Sequence, residues 1–150
     1  MRISDVIARK GNTVDMIDHG QPVRDVARLM NRRQIGAIVV VNAETRRPMG
    51  MVSQSEIVAA VDELGHSALG HCATGIMRRP APHCTPDMLI QDAMAKMTRE
   101  RARHLTVLDT DGAMLGLVSL GDLVAARLGS VELEASVLRD MARTQLMVTA

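Results

Sequence analysis

The sequence predicts an α/β fold: tandem β-α-β-β-α repeats packed sheet to sheet with pseudo-two-fold symmetry, plus a C-terminal helix. Three observations predict it. The segment GMVSQSEIVAAV at 50–61 returns as GLVSLGDLVAAR at 116–127, with Gly, Val, Ser, Val, Ala and Ala in place. Three further windows recur in the same order. PVRDVARLM (22–30) resembles LIQDAMAKM (89–97), GAIVVVN (36–42) matches RHLTVLD (103–109), and DVIARKG (5–11) has a counterpart in GIMRRPA (75–81). The spacing agrees throughout, apart from about one extra residue in the turn at 42–48, and repetition at a fixed period marks a repeat architecture. Finally, a unit of about 60 residues cannot easily bury both of its helix faces alone, whereas two packed together can.

The elements follow from the apolar pattern. After Pro22, the residues Val23, Val26, Ala27, Leu29 and Met30 fall at helical spacing, as do Leu89, Ile90, Ala93, Met94 and Met97 in the second copy. A β-rich run comes next, Ala37 to Val41 and Leu105 to Leu108, and then turn-forming stretches from Asn42 to Pro48 and from Asp109 to Gly112. Second strands are expected from Met49 to Val52 and from Met114 to Val118, with a helix beginning at Ser53 or Ser119. Each unit therefore reads as a short strand, helix, strand, strand and helix. The boundaries are 1–66 and 67–128, with a helical tail over 129–150 that carries Val131, Leu138 and Met141 and that Gly129-Ser130 could interrupt or re-cap.

Composition narrows the function classes. Phe, Trp and Tyr are absent, so 12 Met residues must help fill the core, and no aromatic ring is available to stack on a base. The net charge is +1 and no basic run exceeds two residues, which argues against a DNA or RNA partner. No apolar stretch approaches the roughly 18–20 residues of a membrane span, and MRISDVIARKG lacks the apolar core of a signal peptide. Cys72 and Cys84 stand outside any CxxC spacing, which fits free thiols in a reducing, cytoplasmic setting.

The segments GIMRRP, CTPD, RHLTVLD and GLVSLGDLVAARL in the second repeat, with IGAIVVVN and GMVSQSEIV in the first, resemble the CBS (cystathionine-β-synthase) domain family over about residues 1–128. The likeness is nearest to small stand-alone bacterial proteins with one CBS pair and a C-terminal helix. It implies a regulatory module, not an enzyme, that binds an adenosine-containing ligand between its repeats: AMP, ADP or ATP, with S-adenosylmethionine or NAD as further candidates. It also implies a homodimer and a regulated partner protein. In the family the Ser/Thr-x-x-Asp opening the last helix contacts the ribose, and adenine lies among the other repeat's strands. Carried over, one cleft pairs Ser119 and Asp122 with Thr13, Asp15, Ile35 and Ala37. The other pairs Ser53 and Glu56 with Pro80, Pro82, Arg103 and His104. Glu56 departs from the family's Asp, Thr106 stands where many members have Pro, and Ala102 where an aromatic is frequent.

Independent chemistry supports such a site. A carboxylate accepts hydrogen bonds from vicinal hydroxyls, helix N-termini suit phosphate, and Lys10, Arg33, Arg101 and Arg103 are available as cations. Plainer readings compete. Ser53-Gln54-Ser55-Glu56 is a good capping box; Asp122, with its shorter arm, is expected to close one less well. His66, His71, Cys72, His83 and Cys84 lack the paired spacing of a zinc site, and no GxSxG, phosphate loop or HExxH motif is present. The alternative function is a CBS pair that binds no ligand and serves dimerisation and interaction.

Overall fold

The computed structural model describes residues 1–148; positions 149 and 150 of the expected tail lie outside the described residues. The elements run α1 (Ile3–Lys10), β1 (Met16–Asp18), α2 (Val23–Arg33), β2 (Ala37–Val41), β3 (Pro48–Ser53) and α3 (Gln54–Leu64). After a 3₁₀ helix (Gly65–Gly70) come α4 (Ala73–Ile76), β4 (His83–Cys84), α5 (Ile90–Glu100), β5 (His104–Leu108), β6 (Met114–Ser119) and α6 (Leu120–Val148). Each repeat contributes one three-stranded sheet, β1-β2-β3 or β4-β5-β6, whose first pair is parallel and second antiparallel. The copies agree in detail. Register shifts fall between Val40 and Val41 and again between Val107 and Leu108. Both α2 and α5 end on a left-handed residue, Gln34 (φ 53°) and Arg101 (φ 51°), whose backbone N–H closes onto the last helical carbonyls.

Three apolar clusters explain the buried strands. Along β2 the side chains alternate: Ile38 and Val40 pack with Val26, Met30 and Val52 beneath α2, while Ala37, Val39 and Val41 pack with Met51 and with Met114 and Leu117 of the other sheet. Every residue of β2 is buried, which is why it reads as an unbroken apolar run instead of alternating with polar residues. On β5, Leu105 and Val107 join Val118 and Leu123 in the second repeat's core. Between them Thr106 is fully buried, and its hydroxyl donates to the Pro82 carbonyl at 3.0 Å. A polar residue is thus tolerated at an apolar position because its hydrogen bond is made.

A helix not expected from the repeat pattern precedes β1. In α1, Ile3, Val6 and Ile7 share one face, and the Asp5 carboxylate accepts the Arg2 backbone N–H at 2.8 Å. This face does not pack on its own repeat. Ile3 and Val6 are buried with Cys84, Ile90, Leu105 and Leu123 of the second repeat, and Ala73, Ile76 and Met77 pack reciprocally into the first. At the closest approaches stand Gly116 beside Ile7 and Gly50 beside Met77 and the Arg78 backbone. The final helix, α6, runs through Gly129 and Ser130 without interruption.

Candidate functional site

A cleft of about 400 Å³ lies between the repeats. Two helix N-termini converge on it, with Ser53, Gln54, Ser55 and Glu56 opening α3 and Ser119, Leu120 and Gly121 opening α6. Met51, Pro82, Ala102 and Gly36 supply apolar and small surfaces, and Arg78, Arg101, Arg103 and His104 complete the lining. Local chemistry positions these groups. The first N–H of α3 donates to the Gly36 carbonyl (3.2 Å), and that of α6 donates to Arg103 (2.8 Å). The left-handed turn at Arg101 ends α5 inside the cleft. Arg78 is clamped to the edge of β3 by a reciprocal backbone pair with Met51 (2.8 and 3.0 Å), and its guanidinium donates to the Glu100 carbonyl at 2.9 Å.

The cleft is electropositive. Among the described residues, Arg101 and Arg103 have no carboxylate within ion-pair distance, and Glu56 is the one acid in the lining. The Glu56 carboxylate is itself engaged, accepting both the backbone N–H of Ser53 (2.7 Å) and the Ser53 hydroxyl. The His104 ring lies against Gly36, where an added Cβ would come within 3.3 Å. Burial, then repulsion from Lys10 and Arg103, hold the His104 imidazolium pKa below its ordinary value despite nearby Asp122.

Of the residues expected in the two clefts, Ser53, Glu56, Pro82, Arg103 and His104 come together here, joined by Ser119 from the other set. Pro80 is not in this lining. Neither are Thr13, Asp15, Ile35, Ala37 and Asp122. Ile35 instead lines a shallow neighbouring depression with Gln34 and Ile57, Ala37 is buried between the sheets, and Asp15 pairs with Arg33 at 3.5 Å. Asp122 corrects an expectation. Despite its shorter arm it closes a full capping box, accepting the Ser119 N–H at 2.8 Å while its own N–H donates to the Ser119 hydroxyl at 3.1 Å. Lys10 then donates to its carboxylate at 2.6 Å and to the Leu117 carbonyl at 3.0 Å, so one of the four cations expected for phosphate is committed to Asp122. Burial raises the Asp122 pKa, but the Lys10 and Ser119 hydrogen bonds outweigh it and hold the carboxyl below the usual range.

Sequence reasoning missed Met51, Gln54, Gly121 and above all Arg78. No local signal marks Arg78, because the other repeat's strand places it. Among the described residues, no cluster of three His, Cys, Asp or Glu is arranged to hold a metal ion. No helix among them is long and apolar enough to cross a membrane.

Comparison with known proteins follows the same lines. The CBS domain family model matches residues 3–63 and 73–129. The mitochondrial CBS domain-containing protein CBSX3 of Arabidopsis thaliana is 30% identical over 131 residues, 83% of this chain and 63% of that protein. An uncharacterised protein of Methanopyrus kandleri is 28% identical over 67% of this chain, which spans 50% of its length. Among solved structures, a CBS-domain protein of Agrobacterium tumefaciens superposes with a TM-score of 0.79 at 28% identity, covering 84% of this chain and 92% of that one. A CBS domain protein from Pyrobaculum aerophilum complexed with AMP gives 0.75 at 24% identity, over 90% and 99% of the chains. Another CBS pair, in complex with 5′-methylthioadenosine and S-adenosyl-L-methionine, gives 0.74 at 15%, over 87% and 98%. The last two likenesses concern the fold.

Proposed function

The chain belongs to the CBS-domain family, and from that premise we propose that it is a cytoplasmic regulatory module, without catalysis of its own, that binds an adenosine-containing nucleotide in the cleft between its repeats. The observation that carries the proposal is the lining itself: two helix N-termini and three guanidinium groups face one carboxylate that is already capped. Such a surface favours an anion carrying several acceptor oxygens, and a phosphate is the natural choice. The volume of about 400 Å³ falls within the roughly 300–1,000 Å³ of small-molecule sites. With no Phe, Tyr or Trp in the chain, the base in this reading rests on Met51, Pro82 and Ala102, beside the His104 ring that packs against Gly36. In this reading Ser53 and Ser55 meet the ribose hydroxyls, and Arg101 and Arg103 the phosphate. Solved CBS proteins of the same fold hold AMP or S-adenosyl-L-methionine, ligands of the class proposed.

In this reading the arrangement at Asp122 makes the two halves unequal. Lys10 and the Ser119 N–H already share Oδ2 of the carboxylate that would meet a second ribose, so in this reading the Ser53 side of the cleft takes its ligand first. The exposed Val58 and Val61 of α3, with Val124 and Leu128 of α6, offer faces for a homodimer, and a partner protein reads the ligand-dependent arrangement. Any such switching requires the ligand to bind one arrangement more tightly than another.

The test is thermal unfolding of ligand-stripped protein with AMP, ADP, ATP, NAD and S-adenosylmethionine. A ligand at 100 times its dissociation constant adds about 2.7 kcal/mol, a rise of roughly 5–10 °C for a chain of this size. The expected result is such a rise with at least one compound, lost in Arg101→Ala/Arg103→Ala. No rise with any compound at millimolar concentration would transfer the function to the alternative, a ligand-free interaction module.

A further inference from the structure

We propose that the projecting part of α6 pairs in parallel with the same helix of a second copy of this chain, forming a short two-stranded coiled coil. The helix spans 29 residues, about 43 Å at 1.5 Å per residue. Only its first two turns are anchored, with Leu123 fully buried and Ala126 packed against the second repeat's core. Beyond Arg127 it leaves the body of the protein. Val124, Leu128, Val131, Ala135, Leu138 and Ala142 are spaced alternately four and three residues apart, the a/d pattern of a heptad. On that heptad the body-facing Leu123 and Ala126 occupy the opposite side of the helix, so the protein's own core does not cover the stripe. Leu128, Val131 and Leu138 are 58%, 45% and 66% exposed.

The charges choose the occupant and its direction. Arg127 and Glu134 take g positions, and Glu132 and Arg139 take e positions. In a parallel pair each g residue faces the partner's e residue five positions on. Arg127 then meets the partner's Glu132, and Glu134 meets the partner's Arg139; the two-fold axis doubles both pairs. An antiparallel register that aligns Glu132 with the partner's Arg139 leaves Arg127 and Glu134 without opposite charges. A membrane surface fits less well: between 127 and 144 three Arg are balanced by three acids, giving no basic face for anionic headgroups. The helix also gains from a partner in its own right, because Gly129 costs about 1 kcal/mol relative to Ala and most helical stability in proteins comes from packing of an apolar face.

The experiment uses the full chain with Cys72→Ser, which leaves buried Cys84, and adds Val131→Cys on the seam or Ser136→Cys on the outer face. Mild oxidation is expected to give a disulfide-linked dimer at least tenfold faster for Val131→Cys, because equivalent seam positions meet only in a parallel pair. Equal rates would overturn the proposal. Glu134→Arg and Arg139→Glu, each alone, should weaken self-association roughly tenfold by turning two ion pairs into like-charge contacts, and mixing the two variants should restore it. Sedimentation with phosphatidylglycerol vesicles and no cross-link at position 131 would overturn the proposal in favour of a membrane-facing helix.

Discussion

Replacing Gly50 or Gly116 by Ala tests the crossed packing of the two repeats. The two glycines occupy equivalent strand positions, so a repeat that folded on its own would treat the substitutions alike. Their neighbours differ. A Cβ at Gly116 would lie 2.6 Å from Ile7 Cδ1, the end of a flexible side chain, with its next contacts at 3.5 and 3.6 Å. A Cβ at Gly50 would lie 2.6 Å from Met77 Sδ and also 2.7 Å from the Arg78 carbonyl oxygen, which cannot rotate away and belongs to the backbone pair with Met51. Overpacking of a tight site costs about 1–3 kcal/mol. Gly50→Ala should fall at the upper end, lowering Tm by about 6–12 °C, and Gly116→Ala near the lower end, by about 2–4 °C. Double variants sharpen the comparison. In an Ile7→Val background Cδ1 is gone, so Gly116→Ala should become neutral or stabilise by about 0.5 kcal/mol through lost unfolded-state entropy. In a Met77→Ala background Gly50→Ala should remain costly, because the carbonyl is still there. Urea denaturation of the four single and two double variants supplies the numbers. If Ile7→Val does not relieve Gly116→Ala, α1 does not lie on β6 and the crossed packing is wrong.

Two other perturbations are expected to give directional results. The Asp122 pKa is held below its ordinary 3.8 in the folded protein, so its ionised form stabilises the fold above about that pH and the contribution disappears as pH falls through the lowered value. Urea midpoints should accordingly fall less steeply between pH 5 and 3 for Asp122→Asn than for the parent, and parallel profiles would show that the Lys10 contact contributes nothing. Burial pushes the Cys84 thiol up to about 11, against a smaller opposing effect of Lys96. Iodoacetamide at pH 8 should therefore add one group per folded chain, at exposed Cys72, as read by peptide mass spectrometry; rapid modification of Cys84 would contradict its burial.

What the sequence made legible was largely what is local. The junctions at Ser53 and Ser119 were foreseen within a residue, because a capping box depends on four consecutive residues. Strands β2 and β5 were foreseen because buried strands carry β-branched runs. The crossing of α1 onto the second repeat was not, since an amphipathic face at Ile3, Val6 and Ile7 does not say which core it meets. For the same reason Arg78 entered the site unannounced, and the pairing of Lys10 with Asp122, 112 positions apart, removed a cation that local reasoning had counted as free. Ser53, Glu56, Pro82, Arg103 and His104 line one cleft without Pro80, whereas of the residues grouped with Asp122 only Ser119 reaches it, Asp15 being drawn into an ion pair and Ala37 into the inter-sheet core.

The crossed packing also orders events during synthesis. The apolar face of α1 leaves the ribosome before the residues that cover it, since Cys84, Leu105, Val118 and Leu123 lie about 80–120 residues downstream. At roughly 5–20 residues per second, Ile3 and Val6 wait about 6–24 s before the last of these partners is made. A nascent chain arrested near residue 100 would hold the strands and helices of the first repeat together with an orphaned apolar α1. Its apolar face stays uncovered until β6 and the start of α6 clear the exit tunnel, when α1 finds the second sheet finished.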